Sequence, residues 1–590
     1  MRLKLYSCLV GVLLLASCAN RGIGPQGGPR DTIPPVPVKS VPENGVLNFQ
    51  DNKIEITFNE YLELNDIANN LLMSPPQQHS PEVKVRGKRL VIQFQDSLYA
   101  NTTYTLDFGD AICDYHERIP AHNYTFSFST GDVIDTLELR GQVFDAANLN
   151  PLKGVIVGIH ENQDDSAFTT MPFLRIARTD SVGRFRIGNI REGKYRLYAV
   201  NDVSRDYRLT PGEALAFADE SVDVISHLPL PVAHSDSAQQ DSAQVEEGQK
   251  LFLFQEEQKK LYLQRTLRQQ QHRIQILFSS SPDSVPELRP LVDSLNYIVH
   301  YSSQRDTVTM WLVDSASILQ DSIFIEARYR RTDSLFRLDW CTDTLRAIWR
   351  EPRMSAKAKE AQARANSNRR LELKSNARQA FEIYDTLCIR CTTPLASIER
   401  DSIHLYERVD TILKPMAFEI APYDTLPMSF MIVAKLKPKS LYEVHLDSAA
   451  LHDIYGITHK ALVYKAALKS PEDYSTLRVK LRSFDPQARI QVLSAQDKVI
   501  RELPAKAEGA LFEYLRPDTY YLRLYIDSNG DGKWTTGSWK EKRQPEAIYY
   551  FPGKIQTKSN WDFEEEWDHT EQDQTATKLK ELIKASAGKK

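Results

Sequence analysis

Four short stretches establish the fold class of this chain: Ile54-Glu-Ile-Thr-Phe58, Arg89-Leu-Val-Ile-Gln-Phe94, Thr103-Tyr-Thr-Leu-Asp-Phe108 and Tyr124-Thr-Phe-Ser-Phe-Ser129. Each stretch places an apolar residue at every second position, and turn-forming residues lie between the stretches. Because side chains alternate between the two faces of a strand, this period predicts strands with one buried face and one solvated face. One such strand follows another without a helical pattern between them, which predicts an antiparallel β-sandwich.

The same region resembles a known domain family. Ile56-Thr-Phe58 with Asn59-Glu60, the run from Leu98 to Leu106, Ile112-Cys-Asp114 and Phe126-Ser-Phe-Ser-Thr130 are ordered and spaced as in the SbsA-type bacterial Ig-like domain. The resemblance covers residues 34–131. It implies that the hydroxyl of Tyr104 pins a corner of the sandwich.

Residues 137–232 show a second pattern. Leu139-Arg-Gly141, Pro151-Leu-Lys-Gly154, Thr179-Asp-Ser-Val-Gly183 and Ile190-Arg-Glu-Gly193-Lys-Tyr195 follow in order. This order resembles the transthyretin-like regulatory domain of carboxypeptidases, which implies a small non-catalytic β-sandwich. We expect positive φ at Gly183 and Gly193, where tight hairpins require it.

The two patterns then recur along the chain. Tyr442 and Asp453-Ile-Tyr-Gly456 repeat the features around Tyr104 and Asp114. Asp527 follows Tyr520 at the distance by which Asp202 follows Tyr195, so this segment aligns without a gap. Self-similarity of this kind predicts a second Ig-like sandwich at 372–470 and a second transthyretin-like sandwich at 474–568.

Other segments connect these sandwiches. Alternating strands predict a further sandwich at 271–350. The sequence also predicts a polar linker at 233–270 and a basic helical linker at 351–371, which is either a solvated spacer or a patch for anionic lipid or glycan. The tail, residues 569–590, is predicted to form a short amphipathic helix or to fray.

The N-terminus predicts export and a lipid anchor. Arg2 and Lys4 precede the apolar run Leu9 to Leu15, and Leu15-Ala16-Ser17-Cys18 follows. This is a secretory signal at residues 1–18, too short to span a bilayer. The last four residues resemble the lipobox of bacterial lipoproteins, which implies acylation (palmitate) at Cys18. The alternative is an ordinary secretory signal that happens to contain a cysteine.

A Gly/Pro-rich tether at residues 19–33 follows Cys18 and would lift the body off the membrane. Ala19-Asn20-Arg21 lacks the acidic residues that commonly follow the lipidated cysteine of surface-exposed lipoproteins in Bacteroidetes. We therefore expect an outer-membrane anchor with the body facing the periplasm, in preference to the cell surface.

Composition excludes several classes of protein. The formal net charge of −4 with mixed signs gives no electrostatic footprint for nucleic acid. Four of the six cysteines remain after Cys8 and Cys18, too few for a disulfide framework. Cys388 and Cys391 form a C-x-x-C within a predicted strand, whose geometry does not suit a redox or zinc pair.

One loop has the spacing of a cation site. Asp527, Asn529 and Asp531 occupy the first, third and fifth positions of an EF-hand-like calcium loop, with Gly532 at the sixth. Ser538 stands at the twelfth position, where such loops need a bidentate glutamate. The alternatives are a weak structural calcium site and an Asx-rich turn that satisfies its own backbone.

A short triplet, Asp-(Ser/Thr)-aliphatic, occurs many times along the chain. Examples are Asp96-Ser97-Leu98, Asp135-Thr136-Leu137, Asp321-Ser322-Ile323, Asp385-Thr386-Leu387 and Asp401-Ser402-Ile403. It resembles the O-glycosylation sequon of Bacteroidetes-type bacteria, which implies a glycoprotein. Alternatively, Asp followed by Ser or Thr simply forms the turn that precedes a strand.

Together these features predict an all-β, lipid-anchored cell-envelope protein that resembles the Ig-like-domain lipoproteins of Bacteroidetes. We expect a non-catalytic binding or scaffolding protein without a cofactor, attached to the membrane and contacting other envelope proteins or glycans. An alternative is a carbohydrate-binding accessory lipoprotein of a surface glycan-uptake system, with Trp534, Trp539, Trp561 and Trp567 as stacking candidates. A glycan-active hydrolase is the third hypothesis.

Overall fold

The computed structural model describes residues 31–122, 124–225, 248–256, 260–292, 295–333, 337–350, 355, 369–423, 428–571 and 573–587. Within these ranges the regular structure is almost entirely β, which confirms the predicted all-β class of tandem sandwiches. Cys18, the tether up to residue 30, residues 233–247 and 257–259 of the predicted polar linker and most of the predicted basic linker lie outside the described residues.

Buried side chains form five hydrophobic clusters, which define modules 1 to 5. The clusters span residues 49–128, 139–253, 261–347, 371–468 and 477–567. The chain divides into two compact units, residues 1–255 with modules 1 and 2, and residues 256–590 with modules 3 to 5.

Module 1 is built from short antiparallel strands. Its elements are β1 Pro37–Val41, β2 Lys53–Phe58, β3 Leu62–Leu64, α1 Ile67–Asn70, β4 Leu72–Ser74, β5 Glu82–Arg86, β6 Arg89–Gln93, β7 Thr103–Asp107, β8 Ile112–Asp114 and β9 Thr125–Ser129. They form the sheets β1-β2-β6-β5, β4-β7-β9 and β3-β8. Ile54, Ile56 and Phe58 alternate into the core, as their period of two predicts.

Module 2 has two sheets. Its elements are β10 Leu137–Asp145, β11 Ile156–His160, α2 Ala167–Thr170, β12 Arg175–Arg178, β13 Arg184–Ile190, β14 Gly193–Val200, β15 Leu215–Phe217, β16 Val222–Val224 and β17 Gln249–Leu253. The sheets are β13-β10-β17 and β12-β11-β14-β15, and β16 also pairs with β14.

Module 3 also packs two sheets together. Its elements are β18 Leu263–Gln270, β19 Arg273–Phe278, β20 Glu287–Pro290, β21 Tyr297–Tyr301, β22 Thr307–Leu312, α3 Ser315–Ile318, β23 Ser322–Thr332 and β24 Leu338–Ile348. The sheets are β18-β19-β22-β21 and β20-β23-β24.

Module 4 repeats the sheet order of module 1. Its strands are β25 Leu373–Ser375, β26 Leu387–Cys391, β27 Leu395–Ile398, β28 Ile403–Val409, β29 Ile412–Met416, β30 Glu419–Pro422, β31 Ser429–Val433, β32 Leu441–Leu446, β33 Leu451–Asp453 and β34 Leu462–Ala467, with a 3-10 turn at Arg400–Ser402. The sheets β25-β26-β31-β30, β27-β33 and β29-β28-β32-β34 match those of module 1, with β29 added at one edge.

Module 5 repeats module 2 strand for strand. Its elements are a 3-10 turn Pro471–Asp473, β35 Ser475–Leu481, β36 Ala488–Leu493, β37 Val499–Pro504, β38 Ala510–Leu515, β39 Thr519–Ile526, β40 Ile548–Tyr550, β41 Ile555–Gln556, β42 Asp562–Trp567 and α4 Lys580–Ala587. The sheets are β38-β35-β42 and β37-β36-β39-β40, with β41 beside β39. In both modules the last strand closes the smaller sheet in a parallel pairing, β17 with β10 and β42 with β35.

The range predicted as a polar linker, 233–270, contains the strands β17 and β18. Leu251 and Leu253 point inward from β17 and are buried, so this strand belongs to the core of module 2. The strand was missed because its apolar run, Leu251-Phe-Leu-Phe254, is short and has polar residues on both sides.

Glycine conformations follow the prediction in part. Gly183 has φ +76°, as expected, but Gly193 is not among the glycines with positive φ. Asn189 takes that conformation instead, with φ 57°, and so does Tyr514 at the equivalent place in module 5, with φ 56°. The turn before β14 therefore bends earlier than the glycine spacing indicates.

Cysteines and helices add little to this architecture. Cys113, Cys341, Cys388 and Cys391 are all free thiols, and burial raises the pKa of Cys391 to about 12. In the described part of the chain, no helix combines the length and apolarity needed to cross a bilayer.

Candidate functional site

Tyrosine hydroxyls pin a corner in each repeated module. Tyr104 accepts a hydrogen bond from the backbone N–H of Tyr99 at 2.7 Å. Tyr442 accepts one from the N–H of Lys437 at 2.5 Å, also five residues upstream. The corner predicted at Tyr104 is therefore confirmed, and module 4 repeats it.

Modules 2 and 5 have a different corner. The hydroxyl of Tyr195 donates to the carbonyl oxygen of Arg191 at 2.9 Å, and that of Tyr520 donates to Arg516 at 2.8 Å. Each bond spans four residues, so the gapless alignment seen in the sequence corresponds to one shared turn.

Modules 1 and 2 meet at a buried arginine. Arg175 of β12 donates to the carbonyl oxygens of Thr103 and Ser74, and one guanidinium nitrogen lies 3.6 Å from the carboxylate of Asp135. The side chains of Arg175 and Asp135 are only 7% and 9% exposed. Burial lowers the pKa of Arg175, and the negative charge of Asp135 opposes that shift. The two opposite charges therefore compensate each other inside the joint.

A second set of polar contacts extends this joint. The side-chain amide of Asn189 donates to Thr105 at 2.7 Å and to Ser127 at 2.9 Å. The backbone N–H of Ile176 donates to the hydroxyl of Ser74 at 3.0 Å. Hydrogen bonds from several strands hold the two modules in one orientation.

Modules 4 and 5 meet at a buried carboxylate. Glu382 accepts hydrogen bonds from Lys469 at 2.9 Å, from Arg516 at 2.6 Å and from the hydroxyl of Tyr474. Burial alone would raise the pKa of Glu382, but the donors Tyr474 and Lys469 and the charge of Arg516 outweigh it and lower that pKa. The carboxylate is therefore held ionised within the joint.

Modules 3 and 4 also touch. The hydroxyl of Tyr455 donates to the carbonyl oxygen of Leu312 at 2.9 Å, and its ring lies edge-on to His272 with centroids 5.1 Å apart. Burial, with Arg369 and Arg273 nearby, lowers the pKa of His272 to about 4. This ring is therefore neutral at neutral pH.

The predicted calcium loop folds back on its own backbone. Asp527 accepts backbone N–H groups from Asp531 at 3.1 Å and from Gly532 at 2.9 Å. Asn529 accepts the N–H of Asp531 at 2.9 Å, and Asp531 accepts that of Lys533 at 2.7 Å. The oxygens expected to bind calcium thus make the Asx turns of the alternative interpretation. Among the described residues, no group of three or more His, Cys, Asp or Glu side chains is placed to hold a metal ion, and calcium here stays a prediction.

Module 2 carries the same loop without the glycine. Asp202 accepts the N–H groups of Arg205 at 2.6 Å and Tyr207 at 3.0 Å. Tyr207 has φ 54°, where Gly532 has φ +75°. The loop conformation is shared although the sequence motif is not.

A glutamate that the motif does not include closes each loop. Glu546 accepts the N–H groups of Ser528 and Thr535, both at 2.8 Å. Glu213 does the same for Val203 at 2.9 Å in module 2. These carboxylates lie beyond the twelve-residue motif, so spacing alone does not find them.

The four C-terminal tryptophans do not form one sugar-binding platform. Trp567 is buried in the core of module 5. Trp534 is half-buried and donates from its indole nitrogen to the carbonyl oxygen of Glu546 at 2.9 Å. Trp539 is also half-buried, and Trp561 is 57% exposed.

Four of the five Asp-(Ser/Thr)-aliphatic triplets named above lie where strands begin. Leu137 opens β10, Ser322 opens β23, Leu387 opens β26 and Ile403 opens β28. The aliphatic residue turns toward the core while the hydroxyls of Ser97, Thr136 and Thr386 are exposed. These four triplets therefore lie at turns before strands, and the exposed hydroxyls are accessible to modification.

Residues 31–130 match the family model of a bacterial Ig-like domain. Module 1 is therefore an Ig-like domain, and module 4 shares its sheet order, its corner tyrosine and its buried aspartate. No curated protein matches the chain.

Solved structures give distant matches. The N-terminal part of the bacterial S-layer protein SbsC is 12% identical, with 30% of this chain aligned to 39% of that chain and a TM-score of 0.12. Domains 1–6 of SbsC are 9% identical over 84% of this chain and 66% of that chain, with a TM-score of 0.12. The major pilin subunit BcpA of Bacillus cereus is 7% identical over 73% and 99%, also with a TM-score of 0.12. This chain thus spans less than two thirds of the two S-layer chains.

Arg175 and Glu382, which organise the two joints, were not predicted from the sequence. Their partners lie far away along the chain, as with Arg175 and Thr103. A charged residue in a short strand pattern is normally predicted to face solvent. No local signal in the sequence distinguishes it from a charged residue that is buried at a joint.

Proposed function

We propose that this chain is a lipid-anchored, non-catalytic scaffold of the bacterial cell envelope. The observation that carries the proposal is the construction of the joints within each unit. Arg175 in one unit and Glu382 in the other are buried charges with several partners each, and such contacts favour a single orientation. Rows of modules joined in this way act as stiff spacers that present loops at a set distance.

Anchoring is proposed from the sequence around Cys18. An acyl chain on its thiol would hold the scaffold at the outer membrane, with the modules in the periplasm as the preferred side. The test is fractionation of cells that express the wild-type chain or Cys18→Ala, with labelled palmitate added. We expect label and membrane association in the wild type only. A Cys18→Ala protein that still fractionates with membranes would contradict the anchor.

Scaffolding is tested in the intact envelope. Crosslinking in living cells followed by purification should recover assembly or transport components with the wild-type chain. Weaker recovery with Arg175→Met, which disturbs a joint and no exposed surface, would support a role for stiffness. Protease added to intact cells should leave a periplasm-facing protein uncut and should cut a surface-exposed one.

Glycan binding is the second candidate, and Trp561 favours it. This exposed ring lies beside Phe563, with ring centroids 6.2 Å apart, and the ammonium of Lys558 lies 5.2 Å from its centre. Exposed aromatic faces stack on sugar rings. Release of polysaccharide from the purified protein, lost in Trp561→Ala, would establish this function over scaffolding alone.

O-glycosylation is also proposed, at the exposed hydroxyls of Ser97, Thr136 and Thr386. The intact mass of the protein from its native cells should exceed the mass of the polypeptide and its lipid. A triple substitution of these hydroxyl residues by alanine should lower that excess.

A further inference from the structure

One end of module 1 carries an exposed aromatic surface. We call it the entry face and define it as Val36, Tyr61, Lys88, Tyr115 and His116. Tyr61 and Tyr115 are 58% and 61% exposed. The N–H of Tyr115 donates to the carbonyl oxygen of Tyr61 at 2.9 Å, and the Lys88 ammonium lies 5.5 Å from the centre of the Tyr61 ring. The backbone therefore places Tyr61 and Tyr115 opposite each other on neighbouring chain segments.

Module 4 has a face with the same backbone hydrogen bonds as the entry face of module 1. Ile454 donates its N–H to the carbonyl oxygen of Pro394 at 3.0 Å, as Tyr115 does to Tyr61. Asp453 accepts the N–H of Tyr455 at 2.9 Å, as Asp114 accepts that of His116 at 2.9 Å.

In module 4 this face is covered. Pro394 is buried, and Ile454 and Tyr455 are half-buried. Tyr455 contacts Leu312 and His272 of module 3, the module that precedes it. In module 4 this end is therefore the contact surface for the preceding module.

The chain enters module 1 at the same end. Asn59 donates its N–H to the carbonyl oxygen of Val36 at 3.0 Å, and its side chain accepts the N–H of Val36 at 2.7 Å. Strand β1 runs from there toward the opposite end, where Thr130 bonds to Thr102 and the chain leaves for module 2.

The distance to the bilayer follows from the proposed anchor. With the lipid on Cys18, roughly 15 residues would lie between the lipid and the module. Even fully extended, this segment would reach only about 50 Å. The entry face would be the part of module 1 closest to the membrane.

We propose that the entry face rests on the lipid headgroup region, with Tyr61 and Tyr115 as interfacial anchors. This inference rests on the proposed lipid anchor and adds an orientation to it. Tyrosine suits this depth because its ring is apolar and its hydroxyl stays in the polar layer. Lys88 beside Tyr61 can meet lipid phosphate, as basic side chains do at membrane surfaces. Module 1 would then rest on the bilayer through this face.

The experiment uses the full-length lipidated protein in vesicles of phosphatidylethanolamine and phosphatidylglycerol with brominated acyl chains. A bimane fluorophore is placed on the entry face through His116→Cys, or at the opposite end of module 1 through Ala100→Cys. The chain without an added cysteine gives the background, which comes from the half-buried Cys341, since Cys113, Cys388 and Cys391 are buried. We expect quenching at position 116 to exceed that at position 100 by about threefold, as interfacial contact requires.

Variants assign the effect to the tyrosines. Tyr61→Ser with Tyr115→Ser should remove the excess quenching at position 116. Tyr99→Ser is the matched control, because Tyr99 is 59% exposed at the opposite end, and it should leave quenching unchanged. Circular dichroism of each variant checks that the module is folded.

Flotation of the vesicles separates the two hypotheses. Protein that floats but shows equal quenching at both positions would overturn the entry-face proposal and leave the anchor intact. Protein that does not float would overturn the anchor. Position 116 shielded from aqueous iodide only in native envelopes, and not in vesicles, would assign the face to a protein partner and overturn the lipid proposal.

Discussion

The ammonium group of Lys578 donates to the carboxylate of Asp497 at 2.7 Å, and the two side chains are 0% and 5% exposed. The hydroxyl of Tyr550 also donates to Asp497, at 3.2 Å, and its ring lies under the ammonium. Leu582 of helix α4 is buried as well. The tail that the sequence predicts as a helix or a frayed end is therefore a helix docked onto module 5.

Loss of this ion pair should destabilise module 5. Lys578→Met leaves the buried carboxylate of Asp497 without its cation, and we expect the free energy of unfolding to fall by about 3 kcal/mol. Urea unfolding followed by tryptophan fluorescence measures it. Adding Asp497→Asn, which suits the φ of 58° at this position, should restore part of the loss because no buried charge remains.

The corner tyrosines should contribute equally in the two repeats. Tyr195→Phe and Tyr520→Phe each remove one hydroxyl donor to a backbone carbonyl, and we expect each to cost about 1 kcal/mol. Tyr514→Phe, whose ring is 37% exposed, serves as control and should change stability little. A cost in only one module would show that the turns are not energetically equivalent.

Arg175 should determine whether modules 1 and 2 unfold together. Arg175→Met leaves the buried carboxylate of Asp135 and two carbonyls without their donor, and we expect a loss of roughly 3 kcal/mol. Calorimetry should then resolve separate transitions for the two modules. The control is Arg191→Met, which removes a partner of Asp135 that is 67% exposed, and its cost should stay below about 1 kcal/mol.

His160 should make module 2 sensitive to acid. Its side chain is 3% exposed between Phe173 and Tyr198, and burial lowers its pKa to about 4. In the unfolded chain a histidine takes up a proton near pH 6.5, so stability is complete above that pH and falls as pH drops toward about 4. Urea midpoints between pH 7 and pH 4 measure this slope. His160→Phe should flatten it, whereas the exposed His122→Gln should not.

Calcium should stabilise the Asp527 loop only at high concentration. The ion would have to displace backbone N–H groups from Asp527, Asn529 and Asp531, so we expect no rise in the melting temperature of module 5 below about 1 mM calcium. Scanning fluorimetry with magnesium as control measures it. A rise at micromolar calcium that Asp531→Asn abolishes would show a true calcium site.

Several features were predictable because their signals are local. The alternation in Ile54 to Phe58, the corner at Tyr104 and the repeat of Tyr195 at Tyr520 each depend on residues a few positions apart. Strand β17 was missed because its parallel pairing with β10 is remote and its flanks are polar. The glutamates Glu213 and Glu546 were missed because they close loops from outside the motif.

The strands, their tandem repetition and the turns that join them could be predicted from the amino-acid order, because side-chain alternation and turn chemistry act over a few residues. Which charges are buried and which aromatic rings stay exposed depends on packing between distant segments. Arg175 and Glu382 are buried at joints between modules. Tyr61 is exposed, whereas its counterpart Pro394 is buried. Burial differs in these cases because it depends on surfaces that distant segments supply. No local pattern encodes those surfaces.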